Sequence, residues 1–350
     1  MNNQPLFTKY NTLILKGIAI LFIAFHNFLF LLYPIYGCNE FDFRYERIMF
    51  VLNSLNFSNS LSMFFYFLGY IGIYVFFFLS GYGLSKQVRE RKDAYYAIKR
   101  IYKLWILMFL GVSWYVIINV GHVDYYELLR KLTMTDSLSL RKVRSISAAW
   151  WFIYCLAQLY ILFMPLYKFI NSKQSNILII LYLYVMTAYI WQESTIDIEY
   201  MYRNCIGHLP EFCLGIYLAN NENKISYLHK KKFLFFVFVL SLIFFILAQF
   251  SKWVWVFNGI SALLLMLSLY ELTGKRELRL LAYIGKISPY IFIIHGITLR
   301  YFFVELARHD TPVYQIFWVV IWFEIVAVIA SVWYFSIKYI TDGKNKTKNI

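Results

Sequence analysis

The sequence predicts an all-α, polytopic transmembrane helical bundle, and three observations predict it. Of its 350 residues, 61% are hydrophobic and only 15% are charged, whereas a soluble domain is roughly half apolar and a quarter charged. Mean hydropathy is +0.56. Apolar stretches of about 20 residues, the length that crosses a bilayer core, recur from end to end. Read in order, they predict about ten spans, near 13–35, 62–85, 101–120, 149–169, 175–192, 205–220, 233–250, 253–271, 281–303 and 313–337. No appended soluble domain, low-complexity linker or internal repeat is evident, so 1–350 reads as a single integral domain with a basic tail at 338–350.

Loop charge sets the expected orientation, because Lys and Arg accumulate on the cytoplasmic side. "SKQVRERKDAYYAIKRIYK" after the second stretch carries seven cations, from Lys86 to Lys103. "NNENKISYLHKKK" adds Lys224 and Lys230 to Lys232, "ELTGKRELR" adds Lys275, Arg276 and Arg279, and the tail is basic too. Both termini are therefore expected inside. The exception is the loop holding Arg130, Lys131, Arg141, Lys142 and Arg144. The same clustering explains the net charge of +15 without a nucleic-acid partner. Residues 38–60 are expected outside, too polar to cross and suited to a surface position. The four cysteines (Cys38, Cys155, Cys205, Cys213) lack metal-ligand spacing and read as small buried hydrophobes. The first stretch lacks a small-residue cleavage site and reads as a retained span.

Polar groups inside apolar stretches are the functional candidates. "LKGIAILFIAFHNFLFLL" holds His26 near its middle, about 15 Å along a helix from Lys16. An imidazole can take a proton from a hydroxyl near neutral pH; the bland alternative is a structural histidine bonded to a neighbouring helix. "YIGIYVFFFLSGYGLSKQ" places Ser80, Gly81 and Gly83 before the basic loop, where small residues serve close packing or open room for a ligand. Lys99, Arg100 and Lys103 read as an orientation anchor or as a phosphate site. "RNCIGHLPEFCLGIYLA" joins Arg203, His208 and Glu211, and pairing of Glu211 with Arg203 or His208 is as natural as catalysis. "IGKISPYIFIIHGI" carries Lys286, Ser288, Tyr290 and, deeper, His295. Glu324 reads as a further buried carboxylate.

Taken together, "KGIAIL…H", "FFFLSGYGL", "KRIYK", "WFIYCLAQLYILFMPL", "RNCIGHLPEFCLGI" and "IGKISPYIFIIHG" resemble, in this order, the acyltransferase 3 family of integral membrane acyltransferases. The resemblance covers nearly the whole chain. It implies transfer of an acyl group, commonly acetyl, from acyl-CoA to a hydroxyl of a cell-surface or lipid-linked glycan. It also implies a multi-pass protein of the cell inner membrane, with acetyl-CoA as co-substrate and no permanently bound cofactor or metal. The partners so implied are membrane lipid, the glycan acceptor and acyl-CoA; a homo-oligomer is left open. On this resemblance His26 is the catalytic residue, as general base or acyl acceptor, with Lys16 where relatives carry Arg and Glu211 as a further catalytic candidate. Asn27, Ser80, Gly81, Arg100, Lys103, Trp151, Gln158, Arg203 and His295 are the expected donor and substrate contacts.

The chain also departs from the family pattern. Nine residues separate Lys16 from His26 where relatives have ten, which rotates His26 by roughly 80° and puts Asn27 on the expected face. Either the helix is distorted or Lys16 is not the partner of His26. Acidic residues common in the fourth-span motif are replaced by Leu156-Ala157, none is evident around Lys338–Ile340, and there is no serine-hydrolase extension. The rival reading is a proton-coupled transporter or lipid-linked-sugar flippase, in which His26, Glu211 and Glu324 would carry protons or ligand.

Overall fold

The computed structural model describes residues 7–33, 37–91, 96–120, 122–138, 145–194, 197–222, 230–273 and 278–347. The loop cations Lys92, Arg141, Lys142, Arg144, Lys224, Lys275 and Arg276 lie outside them, as do the side chains of the tail beyond 340. Among the described residues the secondary structure is helical, with no strand. The principal helices are α1 (Lys9–Leu32), α2 (Tyr45–Ser54), α3 (Ser60–Leu68), α4 (Ile71–Arg91), α5 (Tyr96–Ile118), α6 (Tyr125–Leu132), α7 (Trp151–Ser172), α8 (Asn176–Glu193), α9 (Leu209–Asn221), α10 (Lys231–Phe250), α11 (Asn258–Leu272), α12 (Arg279–Thr298) and α13 (Pro312–Thr347).

Each of the ten apolar stretches contains a helix, but the structure does not make each a full crossing. Six helices are long and apolar enough to span a bilayer, and a seventh arises if α3 and α4, bent by 42°, count as one. The others fall short for physical reasons. α9 has 13 residues because Pro210 starts it late, and α11 has 15, against the roughly 20 a crossing needs. α8 begins at Asn176 and ends on Gln192-Glu193, which dilutes its apolar run.

α1 is one of three well-buried spans, with 56% of its most apolar window buried, beside 61% for the spans that contain α7 and α12 and 28% for α10. Its long partner is α12, and the two approach closely. A Cβ on Gly17 would collide with the Leu281 carbonyl, and one on Gly285 with the Leu13 carbonyl. Lipid supplies no hydrophobic drive between helices, so such small-residue contact is what holds them together. α4 sits on the other side of α1 and crosses α9, where Gly81 faces the Phe212 carbonyl.

Residues 38–60 do not simply lie on the surface. Cys38 and Asn39 are buried, and only α2 is amphipathic, with Ile48 and Val51 inward. α6 closes a different corner. Arg130 and Lys131 at its end both pair with the buried Asp136, whose single carboxylate offsets one of the two positive charges. Burial lowers the Lys131 ammonium from its ordinary value, and the hydrogen bond and charge of Asp136 oppose that.

Candidate functional site

Lys16 opens into a cavity of about 460 Å³ walled by α1, α4, α5, α7, α12 and α13. Lys16, Arg100, Lys103 and Lys286 all line it, with Ser80, Tyr160, Ser288 and Tyr290 supplying hydroxyls. Among the described residues no acidic side chain lines it. Elsewhere cations meet carboxylates: Lys86 and Arg89 meet Glu222, Arg47 meets Asp42, Arg203 meets Glu199 and Lys252 meets Glu193. Arg100 instead reaches the Tyr96 hydroxyl at 3.0 Å, and Lys286 lies 5.0 Å over the Tyr334 ring. Convergent cations with no counter-charge form a phosphate-binding environment. The remaining walls, including Phe76, Leu104, Leu107, Phe152, Ile153, Leu156 and Phe292, are apolar.

Farther along α1, His26 and Asn27 point to different neighbours. The helix is continuous from Lys9 to Leu32, so no distortion restores the family spacing. Asn27 takes the face that follows from Lys16 and donates its amide N–H to His295 Nε2 at 2.8 Å. His295 Nδ1 must carry the proton, because it donates to the Phe292 carbonyl at 2.7 Å, and a carbonyl can only accept. The lone pair of His295 is thus occupied. His26 turns instead toward the α3–α4 junction. Its Nδ1–H donates to the Tyr66 carbonyl at 2.8 Å, in the last turn of α3. Gly69 makes the approach feasible, since a Cβ there would meet His26 Cβ and the Phe22 carbonyl. The tautomer so fixed leaves the Nε2 lone pair of His26 facing Cys38 Sγ, 3.8 Å away. His26 is 4% exposed, with Phe30 and Tyr70 rings beside it.

A third constellation surrounds His208. Its ring stacks on Phe77 at 4.2 Å and on Trp151 at 5.4 Å, and its Nε2–H donates to the Tyr202 carbonyl. Glu211, fully buried, lies 3.9 Å from His208 Nδ1, while Arg203 pairs with Glu199 and covers the Phe41 ring at 4.3 Å. Gln158 brackets the turn before α9, donating to Asn204 and accepting from the Cys205 amide, each at 2.9 Å.

The structure therefore gathers Lys16, Ser80, Arg100 and Lys103 at one cavity, His26, Asn27 and His295 at the middle of the α1–α12 pair, and Trp151, Arg203 and Glu211 around His208. Gly81 meets α9 and not the cavity. Glu211 faces His208 and not His26. Glu324 is not buried: it is exposed on α13, in an apolar groove beside Tyr283 and Val328. Sequence reasoning missed Cys38 and Glu40 as neighbours of His26, because the chain returns to α1 only after a turn that no local pattern marks.

Comparison with curated proteins and with solved structures finds no match. The acyltransferase 3 family model, described as an acyltransferase domain, matches residues 13–337, taking in α1 with its histidine, the wall of the cationic cavity and all but the end of α13. A multi-pass helical protein built around that match over essentially its whole length belongs to the acyltransferase 3 family.

Proposed function

We propose that the protein is an O-acyltransferase that moves an acyl group, acetyl in the first instance, from acyl-CoA to a hydroxyl of a cell-surface or lipid-linked glycan. The observation that carries this reading is the cavity with four cations and, among the described residues, no carboxylate, opening on the same helix that holds a buried imidazole whose lone pair meets only a weak thiol donor. The cations suit the phosphate-rich end of CoA. His26 then removes the proton of the attacking hydroxyl as it forms its bond to the thioester carbonyl. Two buried groups hold the imidazole in the required tautomer: the Tyr66 carbonyl on Nδ1 and the α3–α4 junction beneath it. In this reading Lys16 serves the donor and does not act as the partner of His26, and Asn27 orients His295.

The same reading places the chain as a multi-pass protein of the cell inner membrane, with about ten passages and both termini cytoplasmic. Internal pairing of Arg130 and Lys131 with Asp136 supports that orientation, since Asp136 offsets one positive charge of the exceptional loop, which then weighs less against the cytoplasmic clusters. The short helices α9 and α11 would complete their passages packed within the bundle, where their ends need not meet lipid, whereas α8, at 18 residues and with an exposed apolar face, is close to a full crossing by itself.

The test uses membranes containing wild type or His26→Gln at matched protein level, supplied with acetyl-CoA labelled in the acetyl group. Label entering extracted glycan or glycolipid with wild type and absent with His26→Gln is the expected result. Equal labelling by both would remove His26 from the mechanism. No labelling with any acyl donor would turn the assignment toward transport.

A further inference from the structure

We propose that His26, Cys38 and Glu40 form a binding site for a divalent cation of the zinc class, and that an ion held there silences His26. The silencing rests on the function proposed above; the site itself does not.

One nitrogen, one sulfur and one oxygen donor converge there, all within 4.8 Å of one another. Nε2 of His26 and Sγ of Cys38 are 3.8 Å apart. A tetrahedral zinc, with bonds of about 2.0–2.3 Å, holds such donors about 3.5 Å apart. The His26–Cys38 pair is within a few tenths of an ångström of that spacing, and the Glu40 oxygen lies within 4.8 Å of both. The outer contacts are those a metal-binding histidine uses. Its second nitrogen donates to a backbone carbonyl, here Tyr66 at 2.8 Å, which fixes the ring and turns Nε2 to the ion.

The segment that delivers the other two donors is anchored rather than draped. Gly37, at φ 62° in the left-handed region, turns the chain back toward α1. Arg47 then donates to the Cys38 carbonyl at 2.7 Å and to Asp42 at 2.6 Å. The next carbonyl, of Asn39, accepts from Trp255 Nε1 at 2.8 Å and from Asn258 at 3.0 Å. Cys38 is thereby held inside, while half-buried Glu40 keeps a carboxylate oxygen within 4.8 Å of the other two donors.

The donor set decides the class of ion. Calcium and magnesium demand oxygen ligands, whereas mixed N, S and O donors suit zinc and its neighbours. Three protein ligands leave a fourth position for water. On binding, the Cys38 S–H bond breaks, an S–metal bond replaces it, and the proton leaves to solvent. The Nε2 lone pair becomes a metal bond, so His26 can no longer accept a proton from a hydroxyl.

The experiment uses the purified full-length protein in detergent and Co²⁺ alone as the spectroscopic probe. A sulfur-to-cobalt charge-transfer band and visible ligand-field bands, saturating at one ion per chain and erased by Zn²⁺, are expected. Cys38→Ala and Cys38→Ser should lose the charge-transfer band, and Glu40→Gln should weaken binding at least about tenfold, the loss typical even of a supporting partner. In the transfer assay Zn²⁺ should inhibit wild type reversibly on chelation. Cys38→Ala should keep its basal transfer and need at least about tenfold more Zn²⁺ for the same inhibition. Absence of the band in wild type, or its persistence in both Cys38 variants, would overturn the site. Loss of basal transfer by Cys38→Ala in metal-free buffer would overturn Cys38 as a ligand only and assign its thiol to the transfer. Absence of transfer by metal-free wild type would overturn the acyltransferase reading and the silencing with it, while the cobalt spectrum still decides the site.

Discussion

His26 and His295 stand on the two helices that pack most intimately, α1 and α12, and they are built alike up to a point. Each is buried, and each donates Nδ1–H to a backbone carbonyl, Tyr66 in one case and Phe292 in the other. They differ at Nε2. In His295 an amide N–H from Asn27 fills the lone pair at 2.8 Å. In His26 the lone pair faces a thiol at 3.8 Å, a weak donor that a stronger claimant can displace. A base must offer a lone pair that its substrate can claim. By that criterion one histidine is a packing element with a satisfied polar edge, and the other, meeting only a weak thiol donor, has what the proposed base role requires. Burial alone would not have separated them.

The largest test of this contrast is His26→Gln. Removing a general base costs ~10²- to 10⁴-fold in rate, and the initial rate of labelled acyl transfer reads it directly. His295→Gln, by the same assay, should keep most of the activity; a comparable loss in both would erase the distinction.

Gly69→Ala comes next, because it attacks the seat of His26 and leaves the imidazole in place. The added Cβ would collide with His26 Cβ and the Phe22 carbonyl. Overpacking of this kind costs about 1–3 kcal/mol, and a misplaced catalytic group loses about 10²-fold in rate. Thermal unfolding in detergent, together with kcat at saturating donor, separates the two effects.

Arg100→Gln moves the comparison to the cavity. Charge-assisted hydrogen bonds contribute about 1.5–3 kcal/mol, so KM for acyl-CoA should rise at least about tenfold while kcat changes little. A fall in kcat with an unchanged KM would mean that Arg100 serves the transition state and not donor capture.

The smallest expected effect belongs to Asn27→Leu. It leaves His295 Nε2 buried without its donor, at a cost of about 1–3 kcal/mol in stability. Transfer at a temperature where the variant stays folded should drop only a few-fold, and a midpoint shift in unfolding is the main readout.

Composition and the spacing of apolar stretches were sufficient to predict a helical, membrane-embedded chain, because hydrocarbon admits only backbones that satisfy their own hydrogen bonds. Ordered short motifs were sufficient for the family, and the nine-residue gap between Lys16 and His26 correctly turned His26 off the Lys16 face, because helical periodicity is a local property. Which helices run full length was less legible, since Pro210 and the polar ends of α8 act on boundaries that an apolar window averages over. Other features were decided only by tertiary structure. Gly81 proved to be a contact with α9, Glu324 an exposed side chain, and Arg130 and Lys131 partners of one buried Asp136; each depends on which face a neighbour covers. Lys16, the Arg100–Lys103 pair and Lys286 belong to three separate stretches of chain on three helices, and only packing makes them one cavity. The approach of Cys38 and Glu40 to His26 is the clearest case. It depends on a left-handed Gly37, an Arg47 clamp and hydrogen bonds from Trp255 and Asn258, residues more than 200 positions away, and no spacing rule along the chain encodes contacts at that range.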